Sequence, residues 1–286
     1  MANQSGPRAL ACCLAVTLAA ASAEIASAEP RSFAWGVAAP AASDTLAGRI
    51  APPEGFVRSV AAPSSFAAFL RALPMKAIGA PVLLHTGARK WRQDVHAAVV
   101  DIDTGSRDLQ QCADAVMRLR AEWQWSIGAK DRIAFDYTGG GRVPYQRYAR
   151  GERPSENGRR WSSGGKADQS YAGFRHYMTN VFSFAGTYSL ERELKPVAGG
   201  AMPEAGDVII KGGFPGHAVL IADMVENPAT NERRFLLLQS YMPAQDIHVL
   251  KNPAASDGSP WYAVPIHWPL ATPEWTFPEG SLKRWP

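Results

Sequence analysis

Three short segments within Asp207–Tyr241 constrain the fold most. Asp207–Ile210, His217–Met224 and Arg234–Tyr241 are rich in branched and aromatic residues and read as strands. Gly212, Gly213, Pro215 and Gly216 supply a turn between the first two. Segments joined so closely form an antiparallel run. Upstream the pattern is helical: Phe66–Leu73 with Ser65 as its cap, Asp108–Trp125, and Asp168–Leu194 broken near Gly186. Helices first and strands after predict an α+β fold, with one antiparallel sheet, helices packed on one side and a single domain. Pro81–Leu84 and Asp94–Ile102 are expected to add strands. Glu29–Ser65 reads as an irregular arm, and the Pro- and Trp-rich stretch Pro243–Pro286 as an irregular wrap around the sheet.

Residues 1–28 read as a cleavable secretory signal peptide. Arg8 lies in a short basic start, Ala9–Ala20 is apolar with one Thr, and Ala26-Ser27-Ala28 offers small residues where a signal peptidase reads. The apolar run is too short for a permanent span, and no later stretch is long and apolar enough. Cleavage removes one basic residue, Arg8, and one acidic residue, Glu24, so the net charge stays at +4. It also removes Cys12 and Cys13, leaving Cys112 alone. An exported domain with one cysteine has no internal disulfide and must be held by its core. The small basic excess is compatible with anionic envelope polymers, and an exported chain without a recognition motif is no candidate for nucleic acid.

Asp108-Leu109-Gln110-Gln111 fits a capping box, which puts Cys112 in the first turn of the best helix in the chain. Leu109, Ala113, Val116, Leu119 and Trp123 share its face by helical spacing, so the thiol points coreward. The positive end of a helix favours a thiolate, and its N–H groups can hold an oxyanion. Taken alone, an inward cysteine on an apolar stripe reads more simply as a small buried hydrophobe.

The other candidate residues lie on the strands. His217, Val219, Ile221 and Asp223 share one strand face by period two; Phe235, Leu237, Gln239 and Tyr241 share a face of the next. With Glu226–Thr230 as the loop, His217 stands directly opposite Gln239, close enough for a hydrogen bond between the side chains. A cysteine at a helix N-terminus, a histidine on a strand and a polar residue on the next are the parts of a thiol hydrolase. The base takes the thiol proton and the third group orients the base.

The segments Asp108–Glu122 around Cys112, Pro215-Gly216-His217-Ala218-Val219 and Gln239–Asp246 resemble a family of exported bacterial domains of unknown function over most of the mature chain. More coarsely, Gly206-Asp207-Val208, then Gly216-His217-Ala218-Val219, then a strand carrying Gln239, resemble NlpC-like and CHAP-like papain-fold cysteine hydrolases. That resemblance implies Cys112 as nucleophile, His217 as base and Gln239 as orienter. The N–H of Cys112 would hold the oxyanion, helped by Gln110 or Gln111. Many cell-wall amidases and endopeptidases share that fold. The long stretch between Cys112 and His217 departs from it.

That stretch holds a basic insertion, residues 142–166, where Arg147, Arg159 and Trp161 are candidate substrate contacts and a solvated basic loop is the plainer reading. His96 is a rival base but reads as structural; Asp101 and Asp103 alternate on that strand and could bind a cation, but two carboxylates alone are a weak signal and the other histidines lack ligand spacing. The expectation is therefore a secreted or periplasmic cysteine amidase or endopeptidase, without metal or cofactor, acting on a cell-envelope amide such as a muropeptide. An inactive envelope-binding module of the same fold and a thiol acyltransferase are the alternatives. The mature chain is expected to begin at Glu29; N-terminal sequencing of exported protein would give Glu-Pro-Arg, and an intact Met1 would refute cleavage.

Overall fold

The computed structural model describes residues 1–2, 32–198 and 201–286, so the expected signal peptide lies almost wholly outside the described residues. Among them are six α-helices: α1 Leu46–Arg49, α2 Phe66–Arg71, α3 Cys112–Ser126, α4 Tyr145–Ala149, α5 Tyr171–Phe184 and α6 Thr187–Glu193. The strands of the large sheet are β1 Val57–Arg58, β2 His96–Val99, β3 Lys195–Pro196, β4 Val208–Lys211, β5 His217–Glu226, β6 Arg233–Gln239, β7 His248–Leu250, β8 Tyr262–Val264 and β9 Leu282–Arg284. Their order is β2-β7-β6-β5-β4-β9-β3, with β1 also on β5 and β8 also on β6, and every pairing is antiparallel.

The sheet separates two apolar clusters. Ala218, Leu220, Leu236 and Leu238 face α2, α3, α5 and α6. Val219, Ile221, Phe235 and Leu237 face the other way, onto Tyr262, Leu270 and Phe277 of the C-terminal segment. Each buried Leu or Ile in these layers stabilises the fold by roughly 1.5–3 kcal/mol. Pro243–Pro286 is thus more than a wrap: it supplies β7, β8 and β9, and its ribbon Leu270–Ala271 with Thr276–Phe277 roofs the second face. The arm before Ser65 likewise contains α1 and β1. Pro81–Leu84 makes only isolated bridges, Leu83 with Arg89 and Leu84 with Gln245. Among the described residues no helix is long and apolar enough to cross a membrane.

The α3 helix is buried nearly all round rather than along one stripe. Its buried guanidinium is met by partners on several sides. Arg118 is fully buried, with Nε 2.6 Å from Glu122, Nη1 2.8 Å from Gln110 Oε1 and Nη2 3.0 Å from Asp103. The cap also differs from expectation. Gln111 is the N-cap residue, and its N–H donates to Asp114 in the first turn. Asp108 lies before the helix and accepts instead from Ala244 N at 2.6 Å. That bond, and the Ser240 hydroxyl 3.1 Å from the Gln110 carbonyl oxygen, pin the start of α3 to the end of β6.

The register of the central hairpin turns on one residue. Glu226 pairs with Arg233, so the loop is 227–232 rather than Glu226–Thr230. Pairing runs unbroken to Leu236 opposite Asp223, then skips Ala222 so that Leu237 faces Ile221. Without that bulge Gln239 would stand opposite Leu220, on the helix side. With it, Leu238 faces Leu220 and Gln239 lies on the face of Val219 and His217. His217 is therefore diagonal to Gln239, not directly opposite. The bulge also turns Asp223 to the helix side, away from the face expected for it. There its buried carboxylate receives Arg58 at 2.8 Å and Arg71 at 2.5 Å.

Asp223→Ala leaves two arginines without their carboxylate beside the bulge. It is expected to cost roughly 2–4 kcal/mol, less than a fully buried pair because both arginines are partly exposed. Asp223→Asn should cost less. Urea denaturation of the two variants measures the difference; equal and negligible losses would mean that the bulge needs no ionic anchor.

Candidate active site

His217 opens β5 directly after the turn at Gly216. A Cβ on Gly216 would lie 2.3 Å from Thr187 Oγ1, so only glycine lets the start of α6 come this close. The imidazole is 1% exposed. Three rings surround it: Tyr241 at 4.8 Å, Trp275 at 5.4 Å and Phe277 at 5.7 Å between centroids. Its Nε2 is 2.9 Å from Gln239 Oε1. The two residues that the hairpin pattern singled out are thus in contact.

Cys112 is the first residue of α3, is 7% exposed and is the free cysteine of the described chain. Its sulfur is within reach of backbone N–H groups of Ala113, Ala218 and Cys112 itself. Ala218 follows His217 in sequence, and Tyr241, whose ring flanks the imidazole, is near enough to Cys112 to feel its charge. So the helix start, the start of β5 and the end of β6 converge. The helix N-terminus does not lower the thiol pKa overall: burial, aided by Asp114, outweighs the N–H groups and pushes it up to about 12. Burial likewise pushes His217 down to about 4, against the hydrogen bond it makes to the Gln239 amide oxygen, with Lys90 adding to the fall. At neutral pH the resting pair is a thiol and a neutral imidazole.

Gln239 is held from two further sides. Its Nε2 donates to Glu274 Oε2 at 2.8 Å and lies 3.4 Å from His248 Nε2. Glu274 Oε2 is in turn 2.6 Å from the buried Lys90 ammonium. No local pattern marks Glu274, His248 or Lys90 as site residues. Glu274 sits in a Pro/Trp-rich stretch, and no periodicity links it to β6. A cavity of about 590 Å³ opens beside this group, lined by Arg92, Tyr241, Thr272, Glu274, Trp275 and Thr276 among others.

The remaining candidates fall elsewhere. The Gln110 carboxamide is buried, accepting from Arg118 and reaching the Asp103 carbonyl oxygen at 3.3 Å, so its side chain is committed to the α3 network. Gln111 Nε2 donates to Asp108. In the basic insertion Arg147 stacks on Trp161 at 4.2 Å and pairs with Glu152, while Arg159 donates to the Gly139 carbonyl oxygen. Those side chains hold the insertion together. His96 Nε2 faces the Ala80 carbonyl oxygen at 3.2 Å, and Asp103 pairs with Arg118 and Arg175. Among the described residues no group of three or more His, Cys, Asp or Glu is placed to hold a metal.

Because His217 resists protonation in the fold, acid favours unfolding. Between its ordinary value of 6.5 and about 4 only the unfolded chain takes up the proton. The stability lost across that window is about 3 kcal/mol for this residue. Denaturation midpoints taken from about pH 7.5 to about pH 4.5 should therefore fall less steeply in His217→Gln than in the wild type. Parallel slopes would show that the imidazole is not shielded.

The family described as Domain of unknown function (4846) matches residues 46–284. Neither a curated protein nor a solved structure matches the chain.

Proposed function

The chain belongs to the Domain of unknown function (4846) family, and on that premise we propose that it is an exported cysteine hydrolase of papain-like arrangement that cleaves an amide of the cell envelope. The observation that carries this reading is the His217–Gln239 hydrogen bond at 2.9 Å beside a helix whose first residue is Cys112. A cysteine helix packed on an antiparallel sheet whose strand carries the base is also the arrangement that the NlpC-like resemblance implies.

In this mechanism the Cys112 sulfur attacks the amide carbonyl carbon while its proton passes to His217. The C–N bond then breaks and the same proton leaves on the amine. Water next attacks the thioester, giving its proton to His217, and the C–S bond breaks to restore the thiol. Proton transfer concerted with attack suits a pair that is neutral at rest, and apo geometry need not show the tightened contact. The backbone N–H of Cys112 serves the oxyanion, since the Gln110 and Gln111 side chains are engaged elsewhere. The cavity walled by Tyr241 and Trp275, which also touch His217, supports a substrate entering from that side. Export, read from residues 1–28, directs the substrate class to envelope peptides such as muropeptides.

A second reading has its own observation. The burial of Cys112 and the raised thiol pKa favour an inactive envelope-binding module. Release of new amines from purified peptidoglycan or muropeptides separates the two. The mature protein should release them, Cys112→Ser should not, and His217→Ala should lose roughly 10²–10⁴-fold in rate. Gln239→Ala should lose less, because it removes orientation and not the base. Amines that appear only with an added acceptor amine would point to acyl transfer. No release, with Cys112 alkylated only after denaturation, would select the binding module.

A further inference from the structure

Gln239 has three neighbours that together leave its carboxamide one orientation. His248 Nδ1 lies 2.9 Å from the Asp246 carbonyl oxygen, which can only accept. That nitrogen therefore carries the proton, and His248 Nε2 presents a lone pair. Glu274 Oε2 is an acceptor held by Lys90 at 2.6 Å. Both acceptors lie on the Nε2 side of Gln239, at 3.4 and 2.8 Å. The amide nitrogen must face them, so the amide oxygen faces His217, and an oxygen there requires a proton on His217 Nε2.

We infer that Glu274 and His248 are positioning residues that lock the Gln239 amide and through it hold His217 as the Nε2–H tautomer, which leaves the lone pair on Nδ1 as the base that the hydrolase reading requires. Its catalytic value rests on the hydrolase reading above; the tautomer itself does not. If the amide turned over, its NH₂ would meet His217 Nε2, the proton would move to Nδ1, and no lone pair would remain for the thiol. A base in the wrong tautomer loses most of its function. The ion pair matters for the same reason: Lys90 keeps Glu274 an acceptor, and Lys90 is itself 5.4 Å from the centroid of the Tyr241 ring that flanks His217.

Imidazole ¹⁵N NMR of the full protein reads both tautomers without any substrate. The wild type should show His217 protonated on Nε2 and His248 protonated on Nδ1; His217 protonated on Nδ1 overturns the inference. In a folded Lys90→Met/Glu274→Leu double variant, which removes the ion pair without stranding a charge, His217 should populate both tautomers. Its kcat should fall roughly tenfold or more with little change in KM. Glu274→Gln, which keeps an acceptor oxygen, should keep the Nε2–H form. An unchanged tautomer in the double variant overturns the role of Glu274 whatever the activity. If wild-type protein shows both tautomers as stated but no thiol-dependent hydrolysis, the positioning stands and the hydrolase reading falls.

Discussion

Ala222 has no partner on β6, and the chemistry of one sheet face depends on that omission. Side chains alternate along a strand, so a single inserted residue exchanges the faces of everything beyond it. Leu236 and Asp223 share the helix side; three residues on from Leu236, Gln239 shares the opposite side with His217. The bulge lets one hairpin serve two layers whose requirements differ. Near the loop it aims a carboxylate at Arg58 and Arg71, which belong to the helix layer. At the far end it sets a carboxamide against an imidazole, under the roof formed by Trp275 and Phe277.

The other fixed point is the start of α3. A helix buried on all sides usually carries apolar residues throughout. Here it carries Arg118, Glu122 and Asp114 as well, and uses Asp103, Gln110 and Tyr171 to satisfy the guanidinium. Removing any one partner would leave a buried charge short of its contacts, which is far more costly than the pair is stabilising. The network therefore gives the helix one rotation and one height. Asp108 to Ala244 and Ser240 to Gln110 then join that height to the end of β6. Two rigid frames, helix and hairpin, meet where Cys112 and His217 sit.

Much of this was legible in the sequence. Ser65 caps α2 and Gly186 divides α5 from α6, as local chemistry predicts. The helix carrying Cys112, the β4–β5–β6 run and the contact of His217 with Gln239 also follow from local patterns. What escaped were features set by tertiary contact. The loop at 227–232 and the bulge shift the register twice, and the shared face of His217 and Gln239 survives because both steps together preserve parity. Asp108 looks like a cap but is taken by Ala244, far away in sequence. Glu274, His248 and Lys90 meet only through the fold, and the basic insertion, so conspicuous as a charge run, spends its arginines on itself.

The C-terminal segment carries a consequence for timing. Glu274 holds Gln239, and Trp275 and Phe277 cover His217. These residues are made more than a hundred and fifty positions after Cys112. A chain grows from its N-terminus, so the thiol, the imidazole and the amide all emerge before the groups that seal them. A nascent chain can pair its central strands, yet it lacks the roof that excludes water from the imidazole. The assembled site is thus a late product of synthesis, completed only once the segment carrying Glu274, Trp275 and Phe277 has been made.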